Sequence, residues 1–330
     1  MKESEIRNAS IHDQYLELVR LDAEKYFKND THRENLGCPV CDSVSSKNEF
    51  EKFGFFYATC EDCLTLYVNP RPKLDRLEEF YIRSESSRFW VEEFFKPVAE
   101  ARREKIFRPR AQRVAEMLVD VSDPVVGDIG AGFGLFLEEL KKVNQGIHSV
   151  AIEPSSEMAQ ICRTKNIEVI QCIIEKAEGN DSRFDFLCSF ELFEHLHDPK
   201  TMIEGAFRLL KPGGKFLLTT LNGLGFDILM MWKESKSVFP PHHLNLSNPD
   251  AVSALLRRVG FEVVQAETPG ELDWDIIESN IERESFSADR FWTYLANCGS
   301  EQAKNDLQFW LRKHSLSSHM SIIARKPMIS

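Results

Sequence analysis

From Val125 onward the sequence predicts an α/β fold, a parallel sheet whose strands are joined by crossover helices. Short apolar runs alternate there with amphipathic stretches, the texture of strands each followed by a helix. The first run, VVGDIGAGFG at 125–134, is a strand breaking into a glycine-rich turn, and the helical LFLEEL at 135–140 follows at once. Helix ends are marked by cap and stop residues, as in SNPD at 247–250 and KPGG at 211–214.

Residues 1–35 read as a polar helical arm with Tyr15, Leu16, Leu18, Val19 and Leu21 as its apolar positions. Residues 36–72 form a cysteine module that contains FGFFY at 53–57 and closes with NPRP at 69–72. Residues 73–120 are a helical connector, interrupted at Pro97 and Pro109. Its seven Lys and Arg between Lys96 and Arg113, against two Glu, read as the solvated face of a helix. The core spans 121–267, with strands at 125–128, 148–153, 168–173, 184–190, 215–220 and 261–267. Helices are expected near 134–143, 155–165, 199–210 and 248–259, the last with Ser247 as N-cap and Pro249 in its first turn. DILMMW at 227–232 reads as an apolar pocket wall or plain core. Residues 268–318 are helical, aromatic and acidic, and are read as a lid; 265–310 alone hold ten acids against three Lys and Arg. A final strand is expected near 319–325, within a closing segment 319–330.

The 330 residues carry 41 Lys and Arg against 52 Asp and Glu, a net charge of −11. That balance speaks against a surface built to grip nucleic-acid phosphates. The first twenty residues are charged throughout, so no secretory signal is expected. The most apolar stretch, 216–232, is broken by Asn222, Gly223, Gly225 and Asp227, so no membrane span is expected. The corresponding compartment is the cytoplasm.

The chemistry concentrates in two places. In the core, the turn with Gly130, Gly132 and Gly134 lets a ligand approach the backbone and offers it a helix N-terminus. Glu153, 21 residues after Gly132 and at the end of the next strand, is placed to accept hydrogen bonds from both ribose hydroxyls of a nucleoside cofactor. This spacing suits a dinucleotide or S-adenosylmethionine equally. In the cysteine module, CPVC at 38–41 and CEDC at 60–63 bring Cys38, Cys41, Cys60 and Cys63 in pairs, the spacing of tetrahedral zinc. The remaining cysteines, Cys162, Cys172, Cys188 and Cys298, are scattered.

Four stretches together, DIGAGFG at 128–134, AIEP at 151–154, FDFLCSFELFEHLHDP at 184–199 and LLKPGGKFLL at 209–218, closely resemble the class I S-adenosylmethionine-dependent methyltransferases. The resemblance covers roughly 110–267 plus the terminal strand. It implies a Rossmann-like seven-stranded sheet with a reversed last strand, for which SSHMSIIARKP at 317–327 fits. It also implies that Asp128, Gly130, Ala131, Gly132, Phe133 and Gly134 hold the methionine portion of S-adenosylmethionine. Glu153 with Pro154 would take the ribose, Glu175 would lie near the adenine, and Phe190, Glu191 and Leu192 would line the cofactor. The cysteine module, with YVNPRP at 67–72 and LEEFY at 77–81, resembles the zinc ribbon in front of bacterial methyltransferases that act on sugars and glycan intermediates. Four thiolates close the coordination sphere, so such a zinc is structural.

An alcohol acceptor needs a general base, and His195, His242 and His243 are the candidates, with His195 and His243 ahead. His197 points the other way by spacing and is read as surface. Glu191, Glu194 and His195, with the distant His243, also resemble the Mg²⁺ site of small-RNA and quinone methyltransferases. Tyr81, Arg88, Phe89 and Trp90 are read as packing between domains. The predicted function is therefore methyl transfer to a hydroxyl of a sugar, nucleotide-sugar or glycan precursor. The two rivals are a zinc-ribbon RNA methyltransferase and a non-catalytic S-adenosylmethionine-binding partner protein.

Overall fold

A nineteen-residue helix, α1 (Ala9–Phe27), opens the fold, capped by the Asn8 side chain, which accepts from the Ile11 N–H. The computed structural model describes residues 2–6, 8–28 and 33–328, so residues 1, 7 and 29–32 of the expected arm lie outside the described residues. His12, Tyr15, Val19, Ala23 and Phe27 form the buried face of α1 at helical spacing. Leu21, read from sequence as part of that face, is exposed, because it points away at 3.6 residues per turn.

The cysteine module is a small antiparallel sheet of β1 (Ser46–Lys52), β2 (Phe55–Cys60) and β3 (Leu66–Val68). Helix α2 (Leu74–Arg83) follows, and the connector reaches α3 (Arg108–Glu116), where Pro109 sits in the first turn and starts the helix rather than breaking it. The basic run is not a solvated face. Arg103 and Arg108 both reach Glu139 on the core's first helix (3.0 and 2.9 Å), Arg110 reaches Glu191 (2.8 Å) and Arg113 reaches Glu267 (2.7 Å). The acids lie on elements more than thirty residues downstream, so nothing local to the run announces them.

The core alternates β4 (Val125–Ile129), α4 (Leu135–Val143), β5 (His148–Ile152), α5 (Ser156–Thr164), β6 (Glu168–Ile170), β7 (Phe184–Phe190), α6 (Pro199–Leu209) and β8 (Leu210–Leu221). Then come α7 (Phe226–Met231), β9 (Asn245–Leu246), α8 (Pro249–Val259) and β10 (Glu262–Glu267). Helices α9 (Asp273–Glu282), α10 (Arg290–Cys298) and α11 (Glu301–Lys313) precede the final strand β11 (His319–Arg325). Among the described residues, seven strands form one sheet in the order β10-β11-β8-β7-β4-β5-β6, with β11 antiparallel to both neighbours. This is the mixed sheet with a reversed last strand that the motifs implied.

Two boundary details differ from expectation. Asn248, not Ser247, caps α8, accepting from the Ala251 N–H, while the Ser247 hydroxyl is held by Thr65 of the cysteine module (2.9 Å). Helix α6 ends at Leu209, and KPGG forms a bulge at the start of β8 with Gly213 at φ +79°.

Strand β9 leaves the core. It pairs antiparallel with β3, Asn245 opposite Tyr67 and Leu246 opposite Leu66, and becomes the fourth strand of the cysteine module's sheet. The 227–232 segment packs as core: Ile228 and Met231 are buried, and Met231 sits with Trp274, Ile277 and Ala296 beneath α9 and α10. Among the described residues no helix is long and apolar enough to cross a membrane.

Asp227 in α7 is buried, and burial together with the nearby Asp273 pushes its carboxyl up to about 7. In the unfolded chain it ionises near 3.8. Between about pH 4 and 7 the native state therefore holds a proton that the unfolded state has lost, and stability falls as pH rises through that window. Asp227→Asn, a mimic of the protonated form, should raise the melting temperature at pH 8 and change it little at pH 4.5. Thermal unfolding at the two values checks this, and an equal shift at both would exclude the linkage.

Candidate active site

Residues 128–134 and 153 converge because three parallel strands end side by side. In register, Asp128 lies between Ala151 of β5 and Cys188 of β7, so the turn after β4, Glu153 and Phe190 all emerge at the carboxyl edge of the sheet. The turn is held from both sides. Gly130 donates its N–H to the Ile152 carbonyl (2.9 Å), and Gly134 donates to Ala131 (2.9 Å). Gly130 and Gly134 have positive φ, +71° and +68°. A side chain at Gly130 would meet Leu192 at 3.1 Å, and one at Gly134 would meet Cys162 and Ile167 at 3.0 Å. Lys165 donates to the Phe133 carbonyl (2.8 Å).

Glu153 is buried and accepts from two backbone groups, Gly132 N–H (2.8 Å) and Ser155 N–H (2.9 Å). It thus shapes the turn, and each carboxylate oxygen retains a second lone pair for a ligand hydroxyl. Pro154 beside it is exposed. Burial, with the charge of Glu153, pushes Asp128 up to about 8, and Arg110 opposes the rise. Glu175 sits apart, in a short turn after β6, accepting from the Thr201 hydroxyl (3.3 Å).

Phe190 packs edge-on against Phe136 (4.8 Å), with the Arg110 guanidinium over its ring (4.6 Å). Glu191, at φ +51°, turns away from Glu194 and accepts from Arg110 and Thr219, both at 2.8 Å, with His319 at 3.4 Å. Burial opposes its ionisation, but these partners outweigh that and hold the carboxyl well below the usual range. Sequence reading missed Arg110, Thr219 and His319, which come from three distant segments.

Glu194, three residues on, has the opposite environment. It is buried, accepts from Thr220 (2.8 Å), and burial with the charge of Glu191 pushes it up to about 8. His195 directs Nδ1 at the His242 carbonyl (3.0 Å), and His243 directs Nδ1 at the Ser237 carbonyl (2.7 Å). A carbonyl can only accept, so both rings carry the Nδ1 proton and keep Nε2 as the basic nitrogen. The two rings are 4.8 Å apart. Glu194, His195 and His243 each offer a ligand atom within 4.8 Å of the others, whereas Glu191 is not part of that group. Burial draws His195 down to about 4.

His242 is a structural residue in this geometry. Its ring stacks on Phe239 (5.2 Å), meets Phe80 and Tyr81 edge-on, and lies 3.4 Å from the Tyr15 hydroxyl. His197 is half-buried rather than surface, 3.4 Å from Glu34, on the far side of the loop from His195. Trp90 and Phe89 pack with Tyr15 and Phe239, while Tyr81 donates to the His242 carbonyl at 3.5 Å.

A family model described as a methyltransferase domain matches residues 98–266, just over half of the chain. The chain belongs to the methyltransferase domain family. Similar relatives include the ubiquinone biosynthesis O-methyltransferase of Xanthomonas oryzae pv. oryzae (strain PXO99A), 32% identical over 158 residues, which are 44% of this chain and 65% of that protein. The protein of the same name from Xylella fastidiosa (strain 9a5c) is 28% identical over 157 residues, 45% of this chain and 63% of its own. The chain thus spans less than two thirds of the length of these relatives. Among solved structures, a SAM-dependent methyltransferase from Archaeoglobus fulgidus shares 20% identity over 66% of this chain and 94% of that one, with a TM-score of 0.45. Phosphoethanolamine N-methyltransferase 2 of Haemonchus contortus shares 19% over 66% and 52%, with a TM-score of 0.45.

Residues 98–266, the methyltransferase domain, contain the edge of the sheet where Asp128, Glu153 and the glycine turn meet. An Asp128 that is protonated near neutral pH should ionise when a cationic cofactor settles beside it, so binding should release protons at pH 7. Calorimetry with S-adenosylmethionine in buffers of different ionisation enthalpy measures this. Glu153→Ala removes the acceptor for Gly132 and Ser155 and should weaken cofactor binding about tenfold or more. Unchanged affinity, or no buffer dependence, would contradict the assignment of these residues.

Proposed function

We propose that the protein transfers the methyl group of S-adenosylmethionine to a hydroxyl of a small molecule, with His195 as the general base. The single observation that carries this reading is the pair of imidazoles with Nδ1–H fixed on carbonyls and Nε2 basic, beside the carboxyl edge of the sheet. Bound there, S-adenosylmethionine supplies an already activated methyl group on a sulfonium. The chain has to bind it, orient the acceptor in line and remove the hydroxyl proton. Asp128, Gly130–Gly134 and Glu153 hold the cofactor, Phe190 and Leu192 line it, and the Arg110–Glu191–His319 group braces the strand end beneath it. His195 stays neutral at physiological pH and is ready to accept a proton. The similarity to O-methyltransferases supports an oxygen acceptor, and the resemblance of the cysteine module supports a sugar, nucleotide-sugar or glycan precursor within that class. The acidic helices at 273–313 would form a lid over the acceptor. The net charge of −11 weighs against an RNA acceptor, and the paired imidazoles weigh against a purely binding role.

A second reading has a specific observation behind it. The convergence of Glu194, His195 and His243 suits a divalent cation such as Mg²⁺, which would orient the acceptor oxygen in place of a base. With His195 as base, turnover at saturating cofactor should fall toward pH 4 rather than titrate near 6.5, and a change near pH 8 should report the neighbouring Glu194 and vanish in Glu194→Gln. General-base loss in His195→Ala should lower kcat by about 100- to 10,000-fold with cofactor affinity kept. EDTA that abolishes activity, with Mg²⁺ restoring it, would select the cation instead. Wild-type turnover in His195→Ala and His243→Ala, unaffected by EDTA, would exclude both.

The cysteine module is proposed to hold one structural zinc on Cys38, Cys41, Cys60 and Cys63. The four thiols are free, with Cys38–Cys63 at 3.5 Å, Cys41–Cys60 at 3.4 Å, and all four sulfurs within 4.8 Å of one another. A tetrahedron with Zn–S bonds of about 2.3 Å has edges of about 3.8 Å, so the donor set and spacing fit. Elemental analysis should find about one zinc per chain. Cys38→Ser should lose it and destabilise the module, and purified, zinc-supplied protein with no bound metal would overturn the proposal.

A further inference from the structure

Arg71 is the arginine of NPRP, the motif that closes the cysteine module and to which the site described above gives no part. Its side chain is almost completely buried, 1% exposed, the largest fully buried side chain among the described residues. A guanidinium is expensive to remove from water unless its donors are satisfied. Here Nη1 and Nη2 point at two loops of the core, while the buried Nε has no hydrogen-bond partner among the described residues. Nη1 donates to the His197 carbonyl (2.5 Å), and Nη2 donates to Asn245 Oδ1 (2.7 Å) and the Leu244 carbonyl (3.3 Å). Burial lowers its pKa to about 10, so it remains charged at neutral pH.

The two loops are those that carry the imidazoles. The first, 193–197, contains His195; the second, 242–246, contains His242 and His243. Asn245 completes the bridge, its Nδ2 donating to the carbonyls of Leu196 (2.7 Å) and Phe193 (3.2 Å), while the Leu244 N–H donates to the Glu194 carbonyl (2.7 Å). The second loop is also gripped directly by the module: Tyr57 donates its hydroxyl to the His243 carbonyl (2.6 Å), and the Val68 N–H donates to the Leu244 carbonyl (3.0 Å). The His242 carbonyl that fixes the Nδ1 proton of His195 belongs to this same held segment.

We propose that Arg71 is a positioning residue for methyl transfer: from inside the cysteine module it clamps the 193–197 and 242–246 loops together and so sets the rings of His195 and His243. The inference rests on the reading of those imidazoles as the groups that act on the acceptor. Arg rather than Lys is required because a planar fork can serve acceptors on two loops at once, and an ammonium on a flexible stem cannot.

The test uses Arg71→Lys, which keeps the charge, and Tyr57→Phe, which removes only the grip on the His243 carbonyl, in the full-length protein. Misplacing a reacting group by about 1 Å costs on the order of 100-fold. Arg71→Lys should lower kcat by about 10- to 100-fold, with S-adenosylmethionine affinity within about twofold because its binding residues lie elsewhere. Tyr57→Phe should lower kcat by a smaller factor. Long-range proton–nitrogen NMR of the histidine rings gives a readout independent of turnover. The parent should show Nδ1-protonated His195 and His243, and Arg71→Lys should shift the ring nitrogens of both. If Arg71→Lys does not fold, Asn245→Ala, which removes the side-chain acceptor of Nη2, takes its place and is read through kcat and the same ring nitrogens. Wild-type kcat and unshifted ring nitrogens in whichever variant folds would overturn the clamp. A clamp that fails while His195→Ala remains inactive would leave the general-base reading standing, and wild-type turnover in His195→Ala and His243→Ala would remove that reading independently of Arg71.

Discussion

The antiparallel pairing of Asn245–Leu246 with Leu66–Tyr67 is the constraint on which the site depends. A strand edge carries unpaired N–H and C=O groups that must find partners. The cysteine module's sheet offers such an edge, and the core supplies the strand that covers it. That exchange turns the segment between β8 and α8 into part of a sheet. The hydrogen bonds reinforcing it, from Tyr57, Val68, Arg71 and the Asn248 side chain to the Cys63 carbonyl, all cross between the module and the core. If the cysteines are tied by a metal, the rigidity of that tie extends through β3 into the histidine loop.

Electrostatics divides neighbouring acids into different roles. Glu191 and Glu194 are three residues apart, yet Arg110, His319 and Thr219 keep the first ionised while burial and the charge of its neighbour keep the second largely protonated near neutral pH. Two carboxyl groups whose environments push them apart in this way are a recurring sign of assigned functions. The charged member braces the end of β7 at the carboxyl edge of the sheet, and the neutral member sits with the imidazoles. Asp128 and Glu153 are not divided in this way: burial raises both, Asp128 to about 8, and the two backbone donors that oppose the rise in Glu153 tie it to the glycine turn.

Local pattern made the core's strands and helices legible, because periodicity, caps and glycine turns are written within a few residues of where they act. The strand starting at Val125, the αL glycines and the acid ending the second strand are of this kind. So is the cysteine quartet, whose spacing carries its chemistry. Where a long-range partner competed, local reading slipped. Ser247 lost the cap of α8 to Asn248 because Thr65, 182 residues away, took its hydroxyl. The basic run before β4 was drawn onto Glu139, Glu191 and Glu267 rather than left in water.

Local pattern in the chain carries most of the core's strands and helices, the glycine turn at the sheet edge and the quartet of sulfurs, but not strand β9 or the strands of the cysteine module. Folding is what brings Glu191 to Arg110 and His319, packs His242 among aromatic rings, sets His195 and His243 edge to face, and places the arginine of NPRP between their loops. These outcomes rest largely on contacts between distant residues, from 47 positions apart for His195 and His242 to 227 for Tyr15 and His242. Such contacts have no repeat or spacing to betray them, because burial and hydrogen-bond satisfaction select the partner only once the chain has folded.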